Sequence, residues 1–446
     1  MRILLCPLSD GGYLYPTLAA GRELRRRGHH VDVLGRAAAA PFAAEAGMPF
    51  AAAEDFGGRG AFSVARWGPG GAAQFRAVRR AAREARAELL VTSVLCNGAL
   101  LAAEALDLPV VVVGLSVHLW DYAAGGAGEP QLGRSRENRT RESLALYADV
   151  REQAGLGARA ARWADGPLLG DALLLRGDPA LEYLGAELPD RVRHVGPLAW
   201  EPTPDRGDVE AVRERLARCG KPVVYVHLGR FFGGASLWPL LNRAFTGGRF
   251  QAVVEQGRST EPRPAAGADI VLVRRPWMGP FVDRADVVLT NGTSAPVLKA
   301  LLHDRPLVVS PNGAEQPLLA GACLRAGVAL HVPNSGSEDP QRLLEAAWRD
   351  EGLRARARVL GRRLTASDSA ARAADVVEQV ARTGRPDAHV ATRRPNVQAP
   401  ARRLDPQVLA PRPDSQAPTR RPDPRPPASA LPKEEDHGFA IGRPRP

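Results

Sequence analysis

The sequence predicts an α/β protein made of two facing Rossmann-like domains and a disordered C-terminal tail. Three observations predict it. A strand, a helix and a second strand fit within about the first 35 residues, which is a βαβ unit and hence a parallel sheet. A second series of apolar strands starts at Pro222, after a segment rich in proline and charge. Beyond Gly384 apolar residues become scarce and Arg-Pro pairs recur to Pro446. Two successive α/β modules of similar size imply two domains that face each other, at residues 1–200 and 201–384, with the tail at 385–446.

The elements follow in order. Ile3 to Pro7 is the opening apolar strand, and Asp10-Gly11-Gly12-Tyr13 reads as a glycine turn. A helix from Tyr15 to Arg27 puts Leu18, Ala19 and Leu24 on one face, and His29 to Gly35 is the second strand. Gly57 to Gly71, glycine-rich and containing Trp67, reads as a mobile loop ahead of a basic helix from Ala72 to Ala87. Leu89 to Val94 and Val110 to Leu115 are buried strands joined by a helix from Asn97 to Leu106. A polar helix from Gly133 to Ala154 and a short strand from Ala172 to Leu175 come next. Val192 to Asp208, with Val195-Gly196-Pro197 and Glu201-Pro202-Thr203-Pro204-Asp205, reads as the interdomain linker. Further strands are expected at Pro222 to Val226, Ala252 to Val254, Ile270 to Leu272, Val287 to Leu289 and Leu307 to Val309, and a last helix from Ala366 to Arg382. The tail cannot bury enough apolar surface to offset the entropy of ordering it.

Composition argues against several functions. The net charge of +11 would suit nucleic acid, but the tail alone holds 12 Lys/Arg against 7 Asp/Glu, and no basic stripe with interleaved aromatics occurs. Arginine carries nearly all of the positive charge, since the lysines are Lys221, Lys299 and Lys433, a bias that suggests a GC-rich bacterial genome. No run of about 18 apolar residues occurs, and Met1 to Pro7 is too short for a secretory signal, so the expectation is a cytoplasmic protein with no membrane span. Cys6, Cys96, Cys219 and Cys323 are scattered without a CxxC pair, which speaks against a disulfide framework or a zinc site. Asn138-Arg139-Thr140 is a chance glycosylation sequon.

The stretch from Asp286 to Leu319 is the most informative part of the chain. It reads as a buried strand, a small-residue turn, a short helix, a second buried strand and a polar loop. A helix that starts at the end of a parallel strand offers free N–H groups and a positive dipole end to an anion. In this register the stretch resembles the donor half of family 1 nucleotide-sugar glycosyltransferases, which have the GT-B fold. The family's His-Gly-Gly-x-Gly-Thr falls on Asn291-Gly292-Thr293-Ser294-Ala295-Pro296, where only Gly292 matches outright. Asn291, Thr293 and Ser294 can still donate hydrogen bonds to a pyrophosphate. The family's Asp-Gln pair, which holds sugar hydroxyls, falls on Glu315-Gln316. Its base-stacking tryptophan falls on Arg275, with Trp277 two residues on, and either plane can stack on a base. Gly229 and Arg230 stand where the family has Gly-Ser beside the phosphates.

The first half departs further from that family. Its catalytic histidine falls on Tyr13, and the aspartate that orients it in plant members falls on Ser93. A phenol titrates near 10, so Tyr13 is a poor base unless its surroundings shift it. Asp10 in the same loop, and His118 and Asp121 past the strand ending at Leu115, are the other candidate bases. Trp67 and Trp120, with Tyr13 and His118, are expected to line the acceptor. The resemblance implies transfer of a hexose from a UDP- or TDP-sugar to a small-molecule acceptor, with inversion, in secondary-metabolite or antibiotic biosynthesis. It implies no cofactor and no obligatory metal, and the sequence holds no Asp-x-Asp signature. Neither nucleic acid nor membrane is an expected partner, and monomer or homodimer stays open. The competing readings are a non-catalytic homologue that assists a partner, which fits the lost dyad, and a GT-B epimerase acting on UDP-N-acetylglucosamine.

Overall fold

The computed structural model describes residues 1–53, 64–126, 133–157, 162–163, 165–227, 238–256, 263–313, 315–332 and 339–383, without the side chains of 64–70. Gly229, Arg230 and the tail at 385–446 lie outside the described residues. Seven strands form the first sheet: β1 (Arg2–Cys6), β2 (His30–Gly35), β3 (Phe50–Ala52), β4 (Leu89–Ser93), β5 (Val110–Val113), β6 (Ala172–Leu175) and β7 (Val192–His194). Six form the second: β8 (Val223–His227), β9 (Gln251–Glu255), β10 (Ile270–Val273), β11 (Val287–Thr290), β12 (Leu307–Val309) and β13 (Ala329–His331). Their orders are β3-β2-β1-β4-β5-β6-β7 and β10-β9-β8-β11-β12-β13, with every pairing parallel. β4, β5, β6 and β8 are buried at every position, as a parallel sheet covered on both faces requires. This is the expected α/β architecture of two Rossmann-like domains.

Topology sets where a ligand can sit. The strand order reverses between β1 and β4 in one sheet and between β8 and β11 in the other. In open parallel sheets the crevice lies outside the carboxyl ends at such a reversal. Helix α1 (Gly11–Arg26) leaves β1, and helix α9 (Ser294–Leu302) leaves β11. Each therefore starts at a switch point.

The intervening helices are α2 (Ala40–Glu45), α3 (Val64–Glu84), α4 (Asn97–Leu106), α5 (Gly133–Gln153), α6 (Arg206–Cys219), α7 (Trp238–Phe245) and α8 (Gly279–Arg284). After α9 come α10 (Gln316–Arg325), α11 (Pro340–Arg349), α12 (Glu351–Thr365) and α13 (Ser369–Thr383). The sequence boundary at 200/201 places α13 with the second domain, yet α13 returns to the first. Ala373, Val376, Val377 and Val380 share one core with Ile3, Leu5, Val31 and Leu174. Each buried valine contributes roughly 1.5–3 kcal/mol. Arg27 meets Asp375 at 2.7 Å and Glu378 at 3.0 Å, and His29 meets Glu378 at 2.9 Å, which fixes α13 on the end of α1.

Three local expectations differ from the structure. The Asp10–Tyr13 turn is the start of a helix, since α1 begins at Gly11 rather than Tyr15. Gly57 to Gly71 is not all loop, because α3 already begins at Val64. The supposed linker from Val192 contains β7 and is cut short by α6 at Arg206. In each case an element that packs against a sheet or a neighbouring helix overrides local glycine and proline content.

Candidate active site

Gly292 makes the bend from β11 to α9. Its φ is +86°, and a Cβ there would stand 3.0 Å from the Gln316 carbonyl oxygen. Both facts exclude a side chain. Thr293 occupies the N-cap without a side-chain capping bond, so the opening N–H groups of α9 are left for another acceptor. Asn291 is fully buried beside them. Its Oδ1 accepts from Thr293 Oγ1 at 3.2 Å, while its Nδ2 has no partner among the described residues. An unmet buried donor costs about 1–3 kcal/mol, which a ligand acceptor here would recover.

The N-terminus of α1 faces the same space from the other domain. Asp10 is its N-cap and also makes no side-chain capping bond. Both tips line one cleft of about 150 Å³. Of the residues expected at the site, Asp10, Tyr13, Arg275, Trp277, Asn291, Thr293, Ser294, Glu315 and Gln316 line that cleft, and Gly292 forms the bend behind it.

The charges there are coupled across the domains. Burial, the Glu315 and Asp10 carboxylates raise the Tyr13 phenol well above its ordinary range, against the pull of Arg176. Burial likewise raises the Glu315 carboxyl, with Arg139 of α5 acting against the shift. Tyr13 is thus unsuited to take a proton at neutral pH. Arg275 is held by Asp208 at 2.6 Å, and Trp277 packs on Phe281 with ring centroids 5.1 Å apart.

Other expected residues stand elsewhere or are engaged differently. His118 is buried away from the cleft, with Nε2 on the Asp121 carbonyl at 3.2 Å and its main-chain N–H on Glu182 at 2.8 Å. Burial and the Arg136 guanidinium push it down to about 3, so it is neutral and enclosed. Asp121 is exposed outside the cleft, and Trp120 lines a separate cavity of about 20 Å³. The segment from His118 to Trp120 turns inward under α5, where Arg136 donates to both carbonyls, whereas Leu115 and Ser116 before it still face the second domain. Trp67 lies in α3 with its side chain outside the described residues. Ser294 Oγ accepts from the Ser116 N–H at 2.9 Å and lies 3.1 Å from Ser116 Oγ, so it bridges the domains. Gln316 Oε1 accepts from the Asn312 N–H at 2.9 Å, fixing the loop before α10. Ser93, in the place of the family's orienting aspartate, accepts from the Leu8 N–H at 3.0 Å and shapes the approach to α1.

Several cleft residues were not singled out by sequence. Glu201 accepts from the Gly279 N–H at 2.7 Å and pairs with Lys299 at 3.1 Å, tying the linker to the second domain. His227 and Glu255 stand 3.3 Å apart at the ends of β8 and β9, and Tyr225 donates to Glu255 at 2.9 Å. Arg176 follows β6 directly and is buried in the first-domain wall. The usable signal was position: a polar residue just at or past the carboxyl end of a parallel strand.

No protein-family model matches the chain, and no curated protein matches it by sequence. Solved structures do match in fold. The glycotransferase of kitacinnamycin superposes with a TM-score of 0.65 at 18% identity, covering 84% of this chain and 98% of that one. CalG4, the calicheamicin glycosyltransferase, gives 0.63 at 20% identity, covering 86% and 99%. SsfS6, the Streptomyces sp. SF2575 glycosyltransferase complexed with thymidine diphosphate, gives 0.55 at 20% identity, covering 85% and 99%. The chain has the GT-B fold.

Proposed function

We propose that the protein is a glycosyltransferase that moves a hexose from a TDP- or UDP-sugar to a small-molecule acceptor, with inversion, in secondary-metabolite biosynthesis. The observation that carries this reading is the uncapped α9 tip, with the buried and unmet Asn291 Nδ2, opening into the interdomain cleft. The diphosphate binds there through main-chain N–H groups, Asn291 and Thr293, helped by the helix dipole. Those groups stabilise the charge that grows on the leaving diphosphate, so no metal is obligatory. Glu315 and the Nε2 of Gln316 face the sugar, and Trp277 or Arg275 stacks on the base. Neighbours of the same fold are glycosyltransferases, one of them complexed with thymidine diphosphate, which supports the choice of donor.

Asp10 is the base. It is the first-domain carboxylate on the cleft wall, Tyr13 is shifted the wrong way, and His118 is enclosed elsewhere. The Asp10 carboxylate takes the acceptor hydroxyl proton as that oxygen bonds to the anomeric carbon and the diphosphate departs from the opposite face. The cleft is small beside the ~300–1,000 Å³ of ligand pockets, so the domains part to admit both substrates and close again. The Ser116–Ser294 bridge is one of the contacts that this motion breaks and remakes, with Arg363–Asp178 at 2.7 Å another.

Thermal unfolding with TDP, UDP and GDP tests the reading first. A bound nucleotide at 100 times its dissociation constant adds about 2.7 kcal/mol. Transfer from TDP-glucose or UDP-glucose to phenolic acceptors tests it second. Stabilisation by TDP or UDP with turnover supports the proposal. Stabilisation without turnover supports the non-catalytic homologue, and no stabilisation by any nucleotide refutes both.

A further inference from the structure

Arg176 is an unusual residue for its position. It is 3% exposed, its main-chain N–H donates to the Leu115 carbonyl at 2.7 Å, and its Nε donates to the Gly114 carbonyl at 2.8 Å. It makes no ion pair with any carboxylate among the described residues. Of the other carboxylates on the cleft wall, Glu315 is opposed by Arg139, Glu201 pairs with Lys299, and Glu255 lies beside His227 and accepts from Tyr225; Asp10, at the start of α1, makes no ion pair with Arg176 either. Burial pulls the guanidinium down to about 10, which leaves it a cation at neutral pH. A buried cation without a counter-charge is costly, and a ligand anion would remove that cost.

A second observation points the same way. The N–H groups of Gly11 and Gly12, the first two of α1, donate to no side-chain cap, and the main-chain N–H groups that donate to the Asp10 carbonyl are those of Tyr13 and Leu14. A Cβ built on Gly12 meets no atom within 4 Å, so free space lies over the helix tip. Arg176, Tyr13 and this tip line the same cleft, on its first-domain side.

We propose that the first-domain wall is a receptor for a carboxylate on the acceptor, formed by the Arg176 guanidinium and the opening N–H groups of α1. The inference rests on the glycosyltransferase reading and deepens it: the acceptor is a hydroxylated carboxylic acid. A guanidinium fork matches a carboxylate in a way that an ester or amide cannot reproduce. With its acid group on Arg176, the acceptor turns a hydroxyl towards Asp10, which lies at the same helix tip. The same arrangement disfavours a neutral acceptor, because Arg176 would stay buried and unpaired.

The test uses 4-hydroxybenzoate, 4-hydroxycinnamate and 3-hydroxybenzoate, each against its methyl ester and primary amide, titrated calorimetrically into the full chain saturated with TDP or UDP. At least one acid is expected to bind tenfold or more tightly than its ester and amide. Arg176→Met is expected to reduce that acid to the level of its ester while nucleotide stabilisation stays unchanged, and Arg176→Lys is expected to keep part of the preference. If Arg176→Met fails to fold, Gly12→Leu, which puts a side chain into the open space at the α1 tip and leaves Arg176 in place, is expected to abolish acid binding in the same way. Equal binding of every acid and its ester overturns the proposal, as does an acid preference that survives Arg176→Met. Lost nucleotide stabilisation in Arg176→Met reassigns the residue to the donor diphosphate and overturns it too. Failure of the wild-type chain to bind either nucleotide instead removes the reading beneath it.

Discussion

The tip of α9 and the tip of α1 face one cleft, but they are built differently. At α9 the groups are neutral: Asn291, Gly292 and Thr293, with main-chain N–H groups around a fixed glycine bend. At α1 two groups carry charge, Asp10 as N-cap and Arg176 on the same cleft wall, while burial and the neighbouring carboxylates keep Tyr13 protonated. Neutral donors and a dipole suffice for a diphosphate, which brings its own charge and is common to every donor. A carboxylate and an unpaired cation on one wall instead select and activate one partner chemically. Under the proposed function, the comparison puts the donor against the second domain and the acceptor against the first.

Removing the base breaks that division most severely. Asp10→Asn is expected to lower kcat by ~10²–10⁴-fold, with TDP or UDP stabilisation unchanged, whereas Tyr13→Phe is expected to change kcat by less than about tenfold. Steady-state transfer rates distinguish the two, and the reverse order would move the base to Tyr13. Asn291→Asp puts a carboxylate at the diphosphate and is expected to weaken nucleotide binding by roughly 10–100-fold, about 1.4–2.7 kcal/mol, as read by calorimetry. Unchanged affinity would remove Asn291 from the donor site.

Acid sensitivity sharpens the contrast at the level of stability. Burial holds His118 at about 3 and His194 at about 4, below the 6.5 of an unperturbed histidine. Below pH 6.5 the unfolded chain takes up protons that the native state refuses, so stability is intact above that pH and falls as pH drops towards 4. For His118 the loss at pH 5 is on the order of 2 kcal/mol. Denaturant midpoints at pH 7.5 and 5 measure it, and His118→Gln is expected to flatten the decline. The smallest effects compare the two glycines. Gly292→Ala is expected to cost ~1–3 kcal/mol, since its φ is positive and its space is filled. Gly12→Ala is expected to add ~0.4–1 kcal/mol, since it is helical and open. Equal melting temperatures for the two variants would contradict the geometry of both tips.

The fold, and the segments proposed to hold the donor, were more legible than the wall proposed for the acceptor, for a local reason. Asn291 to Ser294 and Glu315-Gln316 each work as short continuous segments at a strand-to-helix turn, so their spacing survives in the chain as written. The first-domain side of the cleft is assembled from Asp10 before α1, Leu115 after β5 and Arg176 after β6, residues far apart in sequence. His118 and Trp120 were attractive by type and by their place after β5, and burial under α5 took them away from the cleft. Gly11 and Gly12 suggested a turn, yet packing of Leu14, Leu18 and Leu24 on β1 and its neighbours extends the helix through them.

What the sequence determined alone was periodic and local: two parallel α/β domains, their strand cores, and the helix start at Ser294 where a small-residue turn follows a buried strand. Only the tertiary structure decided that α13 belongs with the first domain, that Ser294 bridges to Ser116, and that Arg176 stands buried without a counter-charge at the cleft. Hydrophobic period and turn chemistry act over a few residues and can be read along a chain. Burial, charge pairing and accessibility depend on which distant segments meet, and the sequence does not carry those distances.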